Sequence, residues 1–485
     1  MIKKKNEGSE LIDFQLSSDS QEILTLADRL IEEFNVTLKH IIRKKQILIT
    51  LITNLIYNHL RGFDTAIPRG EKFYSNIPKR YKPENMSHDI VIYFIDKLTM
   101  NNKYAIERSR ALKHEYGEVS KYNPSNLLMS LCKETLSNNY TLIEDECILL
   151  RKRVSNDFKI VDGIIMQTLQ NSDIATDSEE LTAEESVTSG LEDEGQVTRK
   201  YKKILMDYPE TEYTQRIRSD LNEYNRFRIT NSVSLKNLPK SMLLSEKFKE
   251  NIQLFSSVDI SKLRPDSKGN YNVPLAPDKL VRIFTEDFEN GGRFYRGFET
   301  QLKKELRSYI AINGNSTVEF DYSSYHIRML YHLKNKRCPD DPYTIFEGLD
   351  EDEGREYYKT MVASCLNNDN EKTVLRTMRH YIIKKGLRDY FLDITDKGLR
   401  TGLELLKTHN RHVARYFFQR DGLKFHRMDS DIANDILMYF TRRTTPILAL
   451  CVHDSFIVPK EHEEDLKWAM NKFYRAKVHK LPKIK

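Results

Sequence analysis

The 485-residue chain has few cysteines, and they are badly placed for pairing. Cys132, Cys147, Cys338, Cys365 and Cys451 make an odd count, and no two stand at metal-ligand spacing. That argues against a disulfide framework and a cysteine-bound zinc, and predicts free thiols in a reducing cytoplasm. Long apolar runs are missing as well. A membrane-crossing helix needs about 18–20 such residues. The nearest stretch, Gln46 to Tyr57, is shorter and broken by polar residues, so it reads as a buried helix. Met1-Ile-Lys-Lys-Lys starts like a signal peptide, but no apolar segment follows. No membrane partner is expected, and no internal repeat is evident.

With 31% charged and 39% hydrophobic residues, the chain reads as a soluble globular protein of two to four domains. The net charge of +6 is unevenly spread. Nine acidic residues and no Lys or Arg lie between Asp173 and Glu194, so the remainder carries +15. A basic body suits a phosphate-backbone partner; an ordinary surface with one acidic loop also accounts for it. Residues 168–198, rich in Ser, Thr, Glu and Asp, read as an acidic disordered linker that could shield a basic cleft.

Residues 1–167 read as mostly helical. Ile31, Phe34, Leu38 and Ile42 fall at helical spacing, and Ser87 opens what looks like a capped amphipathic helix. A polar turn and a hairpin near Gly117 would complete a winged helix-turn-helix; a plain helical bundle fits equally. Residues 199–277 restart basic and contain a helical stretch bearing Arg216, Arg218 and Arg226.

The most informative stretch begins at Thr317-Val-Glu-Phe, which suits a strand, and delivers Asp321 at its end. Ile327, Leu330 and Tyr331 then follow at helical spacing. A carboxylate at such a junction is reachable by a metal and by solvent. A second acid, Asp454, lies 133 positions on, between the apolar strand-like runs Pro446–Val452 and Phe456–Val458. Those runs predict a hairpin with His453-Asp454 at its tip. The alternatives for His-Asp are a helical HD-type phosphohydrolase or a mere turn, and the strand context argues against the first.

Asp321-Tyr-Ser with Arg328, Leu330 and His332-Leu333 resembles motif A of the family A DNA polymerases. Ile447 to Pro459 resembles motif C, and its His453-Asp454-Ser455-Phe456 is closer to the related phage-type single-subunit RNA polymerases. The likeness covers residues 278–470. It implies an α+β right-hand polymerase, with a small antiparallel palm sheet and mostly helical fingers and thumb. The parts would be a thumb-like region at 199–277, palm at 278–345 and 425–485, and fingers at 346–424.

The activity implied is template-directed nucleotidyl transfer from nucleoside triphosphates onto a DNA or RNA primer-template. Such chemistry demands charge neutralisation more than covalent catalysis. Two Mg²⁺ ions about 3.5–4 Å apart supply it, with Mn²⁺ as a substitute. The resemblance assigns them to Asp321, Asp454 and the backbone carbonyl of Tyr322. It assigns the triphosphate to Arg355 and Lys359, which share one helix face at i and i+4. It gives nucleic-acid contacts to Arg293, in Gly292-Arg293-Phe294-Tyr295, and to Arg307, Arg427, Asn434 and His453.

The chain departs from the family at two places. Asn367 stands where an aromatic residue follows the Lys by eight positions, which puts base stacking in question. His326 replaces the Glu that crowds a ribose 2′-hydroxyl; it is large enough to do the same. Nothing resembles a proofreading exonuclease. The rivals are an RNA polymerase or primase-like enzyme, an untemplated nucleotidyltransferase, and a winged-helix DNA-binding protein with a vestigial palm. Deleting residues 170–197 is expected to leave the melting temperature nearly unchanged, because so polar a run buries little. A large drop in a thermal scan would contradict that.

Overall fold

A computed structural model describes residues 9–156 and 200–485, apart from 13, 15, 19, 38, 61–63, 76, 78–79, 81–85, 111–118, 133–145, 346–350 and 392. The fold is α+β. The described residues divide into two compact units, one of those up to 281 together with 295–317, the other of 282–294 and those from 318 to 485. The expected palm segment 278–345 is therefore split, and 295–317 belongs with the N-terminal unit.

In the first unit, strand β1 (Ser9–Leu11) precedes helices α1 (Gln21–Glu33) and α2 (Ile41–Leu60). The apolar run expected to form a buried helix sits inside α2, with Ile47, Leu48, Leu51, Ile52, Leu55 and Ile56 in the core. Polar residues that interrupt it are satisfied: Thr53 donates to the Ile49 carbonyl at 2.8 Å, and the Asn54 side chain donates to the Thr50 carbonyl at 2.9 Å. The spacing of Ile31, Phe34, Leu38 and Ile42 did not mark one helix. α1 stops at Glu33, Asn35 takes a left-handed conformation, and Ile42 is 83% exposed on the next helix.

Strand β2 (Asp64–Pro68), helix α3 (His88–Thr99), and strands β3 (Ala105–Arg110) and β4 (Val119–Pro124) follow. Ser87 precedes α3 as expected, but its side chain makes no capping bond. The strands form a sheet in the order β1-β2-β4-β3, parallel only between β1 and β2. A mostly helical reading of residues 1–167 thus needs correction. β3 and β4 pair by register, and β1 reaches β2 across two helices, a non-local pairing that helical periodicity cannot report.

Strand β5 (Ile148–Asn156) pairs antiparallel with β6 (Lys200–Leu205), Arg151 facing Leu205 and Asn156 facing Lys200. The acidic run 168–198 lies outside the described residues. Its flanks pair with each other, so it joins two strands of one hairpin instead of linking separate bodies.

Helix α4 (Glu212–Ile229) opens with a capping box at Thr211 and Thr214. Arg218 is tied to Glu146 at 3.1 Å and Glu210 at 2.9 Å. Strands β7 (Val233–Pro239) and β8 (Asn270–Pro274), with helix α5 (Glu246–Phe255) between them, make the expected thumb-like region part sheet. Next in the chain come β9 (Val281–Thr285) and β10 (Asp287–Tyr295), nearly all in the second unit. β11 (Ile310–Ile312) pairs with β7 and with the start of β12 (Asn315–Asp321), which then runs on into the second unit.

The second unit holds a strand row of β12, β14 (Ser455–Pro459) and β13 (Leu450–Val452), with β13 and β14 antiparallel. Its helices are α6 (Tyr325–Leu333), α7 (Glu351–Asn367), α8 (Glu371–Lys385), α9 (Asp396–His409), α10 (Gly422–Thr441) and α11 (Glu463–Val478). Among the described residues no helix is long and apolar enough to cross a membrane. All five cysteines are buried and unpaired with one another. Burial pushes the thiols of Cys132 and Cys147 up to about 12.

The first unit hinges on a buried charge cluster. The Arg228 guanidinium grips Glu299 with two bonds of 2.7 and 3.0 Å and donates to Asp278 at 2.7 Å. Glu299 is wholly buried. Removing Glu299 leaves the buried guanidinium with Asp278 as its remaining carboxylate, at a cost of up to about 3–5 kcal/mol. Glu299→Ala should lower the unfolding free energy by that amount in urea titration. A loss below about 1 kcal/mol would show that the pair contributes little.

Candidate active site

Two turns bring the motif residues together in the second unit. β12 ends at Asp321, and Ser324 takes a left-handed backbone (φ 53°) that starts α6. Val452 pairs with Ser455, leaving His453 and Asp454 as the two-residue tip of the β13–β14 hairpin. His453 has φ 56°, a conformation in which His is several-fold enriched among non-glycine residues. The Tyr322 N–H then donates to the Asp454 carbonyl at 3.1 Å. This bond ties the end of one strand to the tip of the hairpin, so the backbones that carry the two expected metal acids lie next to each other. Ser455 adds a second tie, donating to Glu319 at 2.7 Å.

The two carboxylates are electrostatically uneasy. Burial pushes the Asp454 carboxyl above its ordinary range; Arg293 and His326 oppose the rise, and the Asp321 charge adds to it. Asp321 Oδ1 is buried with no hydrogen-bond partner among the described residues. The Tyr325 hydroxyl is in the same condition and feels the charges of Asp429 and Asp454. A buried polar atom left unpaired costs about 1–3 kcal/mol. The Tyr325 ring stacks on Tyr322 at 4.5 Å, and Tyr322 donates to the Met470 carbonyl at 2.8 Å, which pins the pair.

The other oxygen of Asp321 has a cation beside it. Backbone bonds of 3.0 and 3.1 Å between Asp321 and Lys485, and one of 2.7 Å from Ser323 to Lys483, lay residues 483–485 along the strand end. Lys485 Nζ then stands 3.3 Å from Asp321 Oδ2.

Among the described residues no group of three or more His, Cys, Asp and Glu is placed to hold a metal. A two-acid set still fits Mg²⁺. That ion is commonly held by one or two carboxylates and completes its shell with water and substrate phosphates. The orphaned Asp321 oxygen is an acceptor of the right kind.

Arg293, expected at nucleic acid, is engaged inside the protein. It is 8% exposed and donates to Asp429 Oδ2 through Nη2 at 2.7 Å and Nε at 3.0 Å. His326 Nε2 also lies on Asp429 Oδ2, at 2.8 Å, and on Arg293 Nη2, at 3.1 Å. Burial would raise the Asp429 carboxyl, but Arg293 and His326 outweigh it and hold it well below the carboxylate range. His426 stands beside this group, its ring 5.1 Å from that of His326. Burial, with Arg293 and His326 nearby, holds its imidazole well below the usual value.

Arg427 is likewise engaged, donating to the Phe288 carbonyl at 2.6 Å and to Asp431. Asn434 is buried on α10. Arg307 is buried in the first unit, apart from the unit that holds the acids. Gly291 and Gly292 do not form a tight turn: they lie within β10 with φ 80° and 84°. A Cβ at Gly292 would meet the Phe284 ring at 2.5 Å, so the position is closed to larger residues.

On α7, Arg355 donates to Asp341 at 2.6 Å and lies over the Tyr343 ring at 5.2 Å. Lys359 is exposed, 3.2 Å from Glu356. Their recorded partners are these side chains and not the two acids. Asn367 packs against Gly422 at the start of α10 and donates to the Ala363 carbonyl at 3.0 Å.

Sequence reasoning passed over Asp429 and His426. Both lie in the helix Phe425-His-Arg-Met-Asp, one turn apart at i and i+3, and two titratable residues on a face otherwise packed with Ile432 and Ile436 were the available signal. Lys485 and the orphaned Tyr325 hydroxyl carried no sequence signal.

No family model matches this chain, and no curated protein matches it. Among solved structures it is similar to the POL domain of Pol1 from M. smegmatis in complex with DNA primer-template and dNTP. The identity is 14% and the TM-score 0.25, over 45% of this chain and 47% of that one. A likeness that slight adds no weight, and the site has to speak for itself.

Lys485 competes with any cation for Asp321. It is 60% exposed, so solvent screens the pair and it contributes at most about 1 kcal/mol. Lys485→Ala should tighten Mg²⁺ binding by up to about fivefold in isothermal titration. Weaker binding in the variant would mean that Lys485 supports the site.

Proposed function

We propose that the chain is a template-directed nucleotidyltransferase, extending the 3′ end of a nucleic acid with nucleoside triphosphates. The observation that carries this is the pairing of Asp321 and Asp454 by the Tyr322–Asp454 backbone bond, with one carboxylate oxygen left unsatisfied. Asp321, Asp454 and the Tyr322 carbonyl would hold divalent metal, Mg²⁺ or Mn²⁺. Such ions neutralise the charge that develops in phosphoryl transfer. Lys359, exposed on α7, is available to the triphosphate; Arg355 would have to exchange Asp341 for it. His453, at the hairpin tip, would support the primer terminus.

The deoxyribonucleotide reading is favoured over the ribonucleotide one by His326. Its ring is held among neighbours beside the acids, which suits a wall against a 2′-hydroxyl better than a mobile hydrogen-bonding partner. On this reading the enzyme is a DNA polymerase of family A type without proofreading, acting on a primer-template.

Asp321→Asn and Asp454→Asn should each abolish primer extension in Mg²⁺ while leaving folding and duplex binding nearly intact. Near-normal extension by either variant would sink the assignment. Lys359→Ala should raise the apparent KM for nucleotide and lower kcat/KM by about 10²-fold or more, with primer-template affinity unchanged. If duplex affinity fell and nucleotide kinetics did not, the helix would be a nucleic-acid contact instead.

A further inference from the structure

Asp429 has no part in the reading above, yet it is buried and bonds both Arg293 and His326. We propose that it is a positioning residue for sugar selection: it locks His326 into a fixed wall against the 2′-hydroxyl, with Arg293 as its counter-ion. The inference rests on the nucleotidyltransferase reading and adds the residue that makes its selectivity rigid.

The geometry supplies the argument. Asp429 is 1% exposed, and its Oδ2 takes Arg293 at 2.7 and 3.0 Å and His326 Nε2 at 2.8 Å. A carboxylate can only accept, and this one is held ionised. Two groups compete for His326 Nε2: Asp429, which accepts when Nε2 carries the hydrogen, and Arg293 Nη2 at 3.1 Å, which could only donate to a bare Nε2. We take the shorter contact, 2.8 Å to Asp429, as the one that fixes the ring's orientation. Two further contacts fix its plane. The His326 ring lies near-parallel to Tyr325, at 5.8 Å and 25°, and to Phe425, at 5.9 Å and 20°. The residues that hold it come from separate elements: Tyr325 from its own helix α6, Phe425 and Asp429 from α10, and Arg293 from β10. One edge of the ring stays open, the side chain being 23% exposed.

A side chain that can rotate aside is a poor steric filter, because the unwanted substrate need only displace it. Held by two near-parallel rings and by one nitrogen, the ring cannot yield without breaking a charge-assisted bond. Without Asp429 the ring keeps its bulk but loses its fixed position. Asp429 touches no substrate in this scheme; it acts through His326. The competing account is that Asp429 merely neutralises a buried arginine.

The two accounts separate in a double-mutant cycle. The readout is the ratio of kcat/KM for dNTP to that for the matching rNTP, in wild type, Asp429→Asn, His326→Ala and the double variant. Asp429→Asn, nearly isosteric, should lower the ratio roughly tenfold. In the His326→Ala background the same change should do nothing more. An unchanged ratio, or effects that multiply, would overturn the proposal and leave Asp429 as a counter-ion.

A second measurement does not depend on the variant folding. In ¹⁵N spectra of the wild type, with His326 assigned through His326→Gln, Nε2 should bear the hydrogen. An unprotonated Nε2 would overturn the proposal whatever the kinetics. If the wild type extends no primer with either sugar, the polymerase reading falls and the sugar role falls with it. That failure is distinct from an active wild type whose ratio ignores Asp429→Asn.

Discussion

A single backbone hydrogen bond, from the Tyr322 amide to the Asp454 carbonyl, is the constraint on which the second unit depends. It joins two turns more than a hundred residues apart in the chain. Without it, each acid would be an ordinary solvated carboxylate at the end of a strand. With it, two like charges are held in one partly buried place, and the energy of keeping them there is borne by the surrounding fold. The aromatic stack of Tyr322 on Tyr325, the Ser455–Glu319 bond and the strand-end pairing with residues 483–485 all brace the same spot.

The arginines follow a common pattern. Arg228, Arg282 and Arg293 are each buried, and each meets a carboxylate from a distant part of the chain. Arg282 also bonds the Gly292 carbonyl at 2.7 Å and the Ser430 hydroxyl at 2.8 Å, stitching β9, β10 and α10. Positive charge that looked like a nucleic-acid footprint in the sequence is thus partly consumed inside the protein. A planar guanidinium with five donors suits this work; a lysine in the same places could not satisfy two or three acceptors in fixed directions.

What could be read from the sequence was local. The strand-then-helix form around Asp321, the hairpin around Asp454 and the buried helix over Gln46 to Tyr57 each follow from periodicity and turn chemistry within a dozen residues. What could not be read was non-local. The parallel pairing of Ser9–Leu11 with Asp64–Pro68 spans two helices, and nothing in either strand announces the other. Asp429 was passed over because its partners, Arg293 and His326, come from elsewhere in the chain. The candidate metal acids were legible because a strand end exposes its residue by construction. The partners that tune them were not, because ion pairing is decided by tertiary contact.

The hairpin formed by Ile148–Asn156 and Lys200–Leu205 has a practical consequence. Its strands are paired along Arg151–Asn156, so whatever joins them is closed by the ladder and need not close itself. The entropy of closing such a connection grows only with the logarithm of its length, about 0.6 kcal/mol for each doubling. Evolution can therefore lengthen, shorten or recolour this segment at little thermodynamic cost. It is a place where related chains would be expected to differ most, and where a reporter domain could be spliced in while the two strands stay zipped.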